Sequence, residues 1–189
     1  EILSTHDQIL GGPQNQIYLG CRFPAHPDYR LAIQSGALRI GEVLAGQGVV
    51  GSFGIDFLVV GQDLYISEIN LRLGGTTHPF WMARLATRAR YDLFTGELRR
   101  PDGEARYYVA TDNLKSSRLK GRSPAEVISL VDRSGLAYDT AAATGVALHL
   151  LGALPSTGKL GATCIADTPE AADVLYRSLL DLVGGELPW

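Results

Sequence analysis

The sequence predicts an α+β protein, in which an antiparallel sheet with covering helices is followed by a small α+β tail. Three observations support this class. β-rich runs occur in pairs separated by glycine- and proline-rich turns, as in hairpins. Segments with apolar residues at helical spacing lie between those pairs. After residue 104 the elements follow in the order β-α-β-β-α.

The first pair of strands is predicted over Glu1–Leu10 and Gln16–Phe23, with the breaker-rich turn 11–15 between them. From Pro27 to Ala45 the pattern becomes helical, because apolar residues recur at positions 33, 37, 40 and 44. We expect this helix to cover one face of the sheet.

A second hairpin is predicted from the runs Ser52–Val60 and Leu64–Leu71, joined by a three-residue loop at 61–63. That loop would pair Val60 with Leu64, Leu58 with Ile66, and Asp56 with Glu68. Since side chains alternate along a strand, Asn70 and Arg72 would lie on the face that carries both acids. The hairpin would then be apolar near its turn and ionic at its far end.

Two facing carboxylates destabilise a sheet unless something compensates their charge. Mg²⁺ takes oxygen ligands, often one or two carboxylates together with phosphates and water. Asp56, Glu68 and the amide oxygen of Asn70 would supply such a set, and Mn²⁺ would serve in place of Mg²⁺. The alternative is structural: Asp56 is an edge-strand acid, Glu68 pairs with Arg72, and Asn70 ends the strand.

A candidate anion site follows this hairpin directly. Gly74, Gly75, Thr76, Thr77 and His78 lead into a helix predicted from Pro79, at its first position, to Arg90. Backbone amides at a helix start bind anions, and a preceding glycine pair lets a ligand approach. His78 either orients a substrate carboxylate here or serves in capping and packing.

The combination of Gly-x-Asp-Phe-Leu-Val with Glu-Ile-Asn-Leu-Arg-Leu-Gly-Gly-Thr-Thr-His-Pro resembles the metal-binding end of the ATP-grasp ligases. Within them, the Gly-Gly-Thr-Thr-His-Pro continuation most resembles peptide ligases related to the pheganomycin enzyme. The resemblance implies ATP and Mg²⁺ as cofactors, with Asp56, Glu68 and Asn70 as metal ligands. It implies that Arg72 steadies the transferred phosphoryl group as the catalytic residue. It also implies that the chain is the C-terminal lobe of the ATP-grasp fold. The reaction it implies joins a carboxylate to an amine through an acyl phosphate.

The segment 98–104 is the predicted boundary between a lobe at 1–98 and a small domain at 104–189. In the second unit we expect a strand over Arg106–Thr111 and, after the capping box that begins at Ser123, a helix to Arg133. Strands at 145–152 and 159–166, joined by a loop, and a final helix from Thr168 to Val183 complete it. This order is one strand short of a ferredoxin-like unit. His149 is predicted to be a buried, satisfied histidine in the first of those two strands, and the resemblance implies that this tail shapes the acceptor site.

The composition limits which classes of partner and which compartment are expected. The 189 residues carry a net charge of −3 with scattered basic residues, which does not favour nucleic acid as a partner. No apolar run reaches the ~18–20 residues needed to span a membrane, so no membrane partner is expected. Cys21 and Cys164 are isolated thiols typical of a reducing compartment, so a cytoplasmic protein is expected. The chain begins at Glu1 in a strand-like run, and we expect it to be a piece of a longer protein.

The expected substrates are a small-molecule carboxylate and an amine or peptide. The expected partner is the N-terminal half of the same enzyme or a second chain that brings the phosphate-binding lid and the adenine hinge. Two alternatives stay open: a non-catalytic nucleotide-binding or regulatory lobe that needs a partner chain, and a purely structural α/β domain.

Overall fold

The structure, a computed structural model, describes residues 1–184. The strands are β1 Asp7–Gly11, β2 Ile17–Phe23, β3 Gly54–Val60, β4 Asp63–Asn70, β5 Arg90–Asp92, β6 Glu97–Arg99, β7 Ala105–Lys115, β8 Gly145–His149 and β9 Lys159–Ala166. The helices are α1 Arg30–Gly46, α2 Thr77–Thr87, α3 Pro124–Arg133, α4 Leu154–Thr157 and α5 Pro169–Val183. The predicted α+β class, with an antiparallel sheet and covering helices, is confirmed.

Most strands form one antiparallel sheet around the long strand β7. Along one edge β7 pairs with β2 and β6, and along the other it pairs with β9, which in turn pairs with β8. The order β8-β9-β7-β2 is that of a ferredoxin-like sheet in which β2 takes the place of the fourth strand. The strand that the tail lacks is therefore supplied by the N-terminal region.

Strands from both sides of the predicted boundary at 98–104 thus share one sheet. The short hairpin of β5 and β6, which the sequence reasoning missed, lies just before that boundary. The division into 1–98 and 104–189 stays a prediction, and residues 185–189 lie outside the described part.

Two apolar cores lie on opposite faces of this sheet. On one face Val127 and Val131 of α3 and Leu179 of α5 pack against β7 and β9. On the other face α2 packs through Phe80, and the rings of Phe23 and Tyr108 stack at 4.9 Å. The helix that follows the candidate anion segment is therefore anchored directly on the sheet.

Local sequence explains where the tail helices begin. Ser123 and Glu126 form the predicted capping box, with Pro124 in the first turn of α3. Thr168 caps α5 by accepting a hydrogen bond from the backbone N–H of Ala171. Both predicted helix starts are confirmed, and the β-α-β-β-α order holds except for the additional short helix α4 between β8 and β9.

Several predicted boundaries are wrong. β1 runs from 7 to 11, whereas a strand over 1–10 was expected, and the expected loop at 153–158 contains the short helix α4. α2 begins at Thr77, which puts Pro79 at its third rather than its first position. It ends at Thr87 because Arg88 takes a left-handed conformation, with φ of 56°. Proline is tolerated throughout the first helical turn, since its missing N–H has no partner there.

β3 and β4 form a separate two-stranded sheet beside the main one. α1 lies against this hairpin, where Phe57 and Phe53 face its glycines Gly36 and Gly41. Its N-terminal half also contacts the main sheet, since Tyr91 of β5 donates a hydrogen bond to Gln34. No α1 residue is fully buried. Among residues 1–184, no helix combines the length and apolarity that crossing a bilayer requires.

Candidate active site

The β3–β4 hairpin has a different turn from the predicted one but brings the same two acids together. Val60 pairs with Asp63, so the loop has two residues, Gly61 and Gln62. Gly61 has a φ of 62°, and glycine at the first position is typical of one class of two-residue hairpin turn. The predicted three-residue loop and the pairs Val60–Leu64 and Leu58–Ile66 are therefore wrong.

A β-bulge restores the register at the ionic end. Phe57 pairs with Ile66 and Asp56 with Glu68, which leaves Ser67 as the extra residue on β4. Asp56 and Glu68 therefore lie directly opposite each other, as predicted. Because side chains alternate, Asn70 is on their face as well.

Amide groups hold the Asp56 carboxylate on both sides. Asn70 donates to Oδ2 over 3.3 Å, and Gln8 of β1 donates to Oδ1 over 3.1 Å. Gln8 lies on a strand of the main sheet. Its contact crosses from the main sheet to the hairpin, and no local pattern in the sequence indicates how those two sheets meet.

The surroundings of Asp56 disfavour the charged form of its carboxyl group. Burial, and then the charge of Glu68, raise its pKa above the usual range, while Arg72 and the Gln8 hydrogen bond oppose that rise. A bound cation would relieve both causes, because it neutralises the two acids and replaces water as their partner. Arg72 is thus close enough to act on the pair.

The structural alternative of a Glu68–Arg72 ion pair finds no support within residues 1–184. The Arg72 side chain instead donates to the backbone oxygen of Leu73 over 3.3 Å. Its exposed guanidinium is free to meet an anion from outside the chain.

The donor set fits Mg²⁺ but is incomplete without other ligands. In the described residues no three His, Cys, Asp or Glu side chains are grouped to hold a metal ion. Asp56, Glu68 and Asn70 contribute two carboxylates and one amide, all of them oxygen donors. Mg²⁺ sites commonly complete such a set with substrate phosphates and water.

The segment from Gly74 to His78 is a turn that leads into the first two residues of α2. The backbone N–H of Gly74 donates to Thr77 Oγ1 over 3.0 Å, which fixes the turn. Gly75 lies against the ring of Tyr18 on β2, where an added Cβ would come within 2.7 Å of Cε1. Glycine at this position therefore allows the helix start to sit directly on the main sheet.

An open, mostly apolar groove of about 760 Å³ leads away from this helix start. It runs from Thr77 and His78 past Trp81 to Leu85. Arg84 lies over the Trp81 ring at 4.8 Å, a cation–π contact at its rim. The groove joins a polar end beside the anion segment to apolar walls, as binding sites for organic ligands do.

Comparison with known proteins identifies the hairpin and its surroundings. The model of the ATP-grasp domain matches residues 1–76, and that of the PGM1 C-terminal domain matches residues 126–179. The L-propargylglycine--L-glutamate ligase of Streptantibioticus cattleyicolor is 39% identical over 188 residues. The chain is therefore similar to proteins of the ATP-grasp superfamily.

The match to that ligase includes 99% of this chain but only 38% of the relative, so the chain spans well under half of that relative's length. Solved ATP-grasp structures share the fold. The N5-carboxyaminoimidazole ribonucleotide synthetase of Thermus thermophilus has a TM-score of 0.60 at 17% identity, over 100% of this chain and 48% of its own. The carboxyaminoimidazole ribonucleotide synthase of Aspergillus clavatus, solved with ATP, has a TM-score of 0.54 at 14% identity, over 97% of this chain and 47% of its own.

Proposed function

We propose that this chain is the metal-binding, C-terminal part of an ATP-dependent carboxylate–amine ligase that forms a peptide bond through an acyl phosphate. The observation that carries the proposal is Asp56 opposite Glu68, with Asn70 on the same face and Arg72 beside them. The ligase similarity along 99% of the chain supports the same reaction class. That relative is named for two amino acids, and we extend amino-acid or peptide substrates to this protein.

The reaction begins with a substrate carboxylate oxygen that attacks the γ-phosphorus of ATP. The bond from that phosphorus to the bridging oxygen breaks, and ADP leaves with the electron pair. The amine nitrogen of the second substrate then attacks the acyl carbon, the carbon–oxygen bond to phosphate breaks, and the nitrogen loses a proton. Phosphoryl transfer of this kind depends mainly on positioning and charge neutralisation.

The residues of the chain have defined tasks in this scheme. Asp56, Glu68 and Asn70 would hold Mg²⁺, or Mn²⁺, which neutralises the charge of the ATP phosphates. Arg72 would contact the transferred phosphoryl group through its exposed guanidinium. The backbone amides of Gly75, Thr76 and His78 would bind the anionic end of a substrate, since those of Gly74 and Thr77 already donate within the turn. The apolar groove along α2 lies next to them.

The remaining half of the active site belongs, in this proposal, to an N-terminal half of the enzyme or to a second chain. Large apolar side chains are exposed on the hairpin and on the segment after α1: Val60 is 62% exposed and Val50 is 96% exposed. Clustered apolar exposure of this kind marks surfaces that meet another protein part. A cytoplasmic setting, which supplies ATP and reducing conditions for the two buried free thiols, completes the proposal.

The test is ATP turnover coupled to amide formation by the full-length protein. Asp56→Asn and Glu68→Gln should each lower turnover by at least ~100-fold, because each removes a charge from the phosphate-neutralising set. Asp63→Asn, at the turn of the same hairpin, is the matched control and should retain turnover. Nucleotide binding without any amide product would favour the regulatory-lobe alternative, and full activity of both site variants would refute the metal assignment.

A further inference from the structure

Three strands of the main sheet carry polar side chains to one place beneath the start of α2. Tyr108 and Ala110 of β7 and Ile165 of β9 belong to the core on which α2 packs. Because side chains alternate along a strand, Asp112 follows Tyr108 and Ala110 onto this face. His149 of β8 lies there too, since its Nε2 is 3.3 Å from Thr163 Oγ1, two residues before Ile165.

A bulge in β7 aligns these groups across the sheet. Thr111 pairs with Ala162 and Leu114 with Leu160, so Asp112 and Asn113 both face the single residue Gly161. Gly161 is also the partner of His149 on the other side. A side chain at 161 would overlap the His149 ring, so glycine leaves the row from Asp112 to His149 open. Bulges often re-aim side chains next to functional sites.

His149 meets His78 from the start of α2. Their ring centroids are 4.6 Å apart in an edge-to-face arrangement. Within residues 1–184, His78 Nε2 and His149 Nδ1 are buried without a hydrogen-bond partner. The prediction that His149 is a satisfied histidine is therefore only half right: Thr163 satisfies one ring nitrogen and the other has no partner. Two buried acceptor or donor atoms without partners favour a ligand between the helix start and the sheet.

The charge at this place is negative and unbalanced. Burial lowers the pKa of His78, and burial followed by the neighbouring His78 lowers that of His149 to about 4, so both rings are neutral at pH 7. The Asp112 carboxylate opposes both shifts, which puts it within electrostatic reach of the two rings. It also acts on Tyr18, whose pKa burial and the adjacent Cys21 raise far above its usual range. Asp112 is half-buried, and the ion pairs of the described residues do not include it.

We propose that Asp112, with the rings of His78 and His149 beside it, holds the ammonium group of the acceptor substrate. This inference rests on the proposed ligase function and names the chemical class of the second substrate. A primary ammonium has three N–H donors, which match one carboxylate and unpartnered imidazole nitrogens. The site adjoins the Gly74–His78 segment, because Gly75 packs on Tyr18 of the same sheet face. An amine held there lies next to the proposed anion site, where the activated carboxylate would form.

The test separates the acceptor step from the activation step in the full-length enzyme. A panel of L-amino acids is screened as acceptors with Mg-ATP, and the best one is used in every later assay. Hydroxylamine, which is uncharged at pH 7.5–8 and small, replaces the acceptor in a parallel assay of hydroxamate formation. The variant is Asp112→Asn, and its matched control is Asp132→Asn on the exposed side of α3.

Loss of the charged partner should raise the acceptor KM ~10- to 100-fold, the usual effect of removing one charge-assisted hydrogen bond. Hydroxamate formation and the KM for ATP should stay within ~2-fold of the wild-type values, because no ammonium is bound in that reaction. The control variant should match the wild type in both assays. An unchanged acceptor KM in Asp112→Asn would overturn the inference.

The outcomes also distinguish this inference from the proposed function. A wild-type enzyme that forms neither amide nor hydroxamate contradicts the ligase proposal itself. If Asp112→Asn loses both assays through misfolding, Asp112→Glu decides. This variant keeps the charge but moves it by one methylene, so it must raise the acceptor KM more than the ATP KM, and equal effects on both would reject the ammonium site.

Discussion

The Asp56–Glu68 pair makes a prediction that does not depend on activity. Glu68→Gln removes one of two like charges that lie directly opposite each other on the hairpin. Cross-strand pairs of this kind are worth about 0.2–1 kcal/mol, so the metal-free protein should gain stability in that range. For a protein of this size, that corresponds to a rise in Tm of about 1–4 °C. The lower end is expected, because Glu68 is exposed and Arg72 already screens the pair.

The same substitution should weaken the stabilisation by Mg-ATP. The wild type, with Mg-ATP present, should melt at a higher temperature than without it, since a ligand that binds only the folded state stabilises it. In Glu68→Gln this increment should fall by more than half. Thermal melts of the full-length protein, with and without Mg-ATP, measure both effects, and Asp63→Asn controls for loss of a hairpin carboxylate. A variant that is less stable without metal, or that keeps the full Mg²⁺ increment, would refute the facing-acid geometry.

Two further predictions concern the surroundings of the site. Burial lowers the pKa of His6 to about 3, so the unfolded state binds a proton more readily and stability is lost as pH falls below 6.5. Between pH 7 and pH 5 this residue should cost the wild type about 2 kcal/mol in free energy of unfolding, measured by urea unfolding. The loss in His6→Gln should be smaller by that amount. The exposed control His26→Gln should lose as much as the wild type. Gly75→Ala should destabilise the protein by about 1–3 kcal/mol, because its Cβ would come within 2.7 Å of the Tyr18 ring. Gly74→Ala, with open space around its Cβ, is the matched control, and equal melting temperatures of the two variants would contradict the packing of the helix start.

Local patterns in the sequence were sufficient for most elements. Strand β9, the capping box of α3 and the capped start of α5 follow from alternation and from side-chain hydrogen bonds within four residues. The candidate metal ligands were found for a related reason. Two acids, an amide and an arginine at one end of an apolar hairpin are unfavourable unless these groups bind a common ligand.

The register of that hairpin shows the limit of local reasoning. Gly61 and Gln62 form the turn, and the count of loop residues was wrong by one. The bulge at Ser67 offsets that error, so the predicted pair of acids was correct although the predicted loop was not. Loop length and bulge position together set the register, and the sequence alone does not separate them.

The sequence by itself determined the order of the elements, the capped helices and the set of polar groups at the end of the hairpin, because each depends on residues close together in the chain. Only the tertiary structure decided that β2 completes the sheet of the tail, that Gln8 reaches Asp56, and that Asp112 and His149 lie on either side of Gly161. These contacts join strands far apart in sequence. They depend on the burial of whole sheet faces and on strand register, and no short stretch of residues determines either.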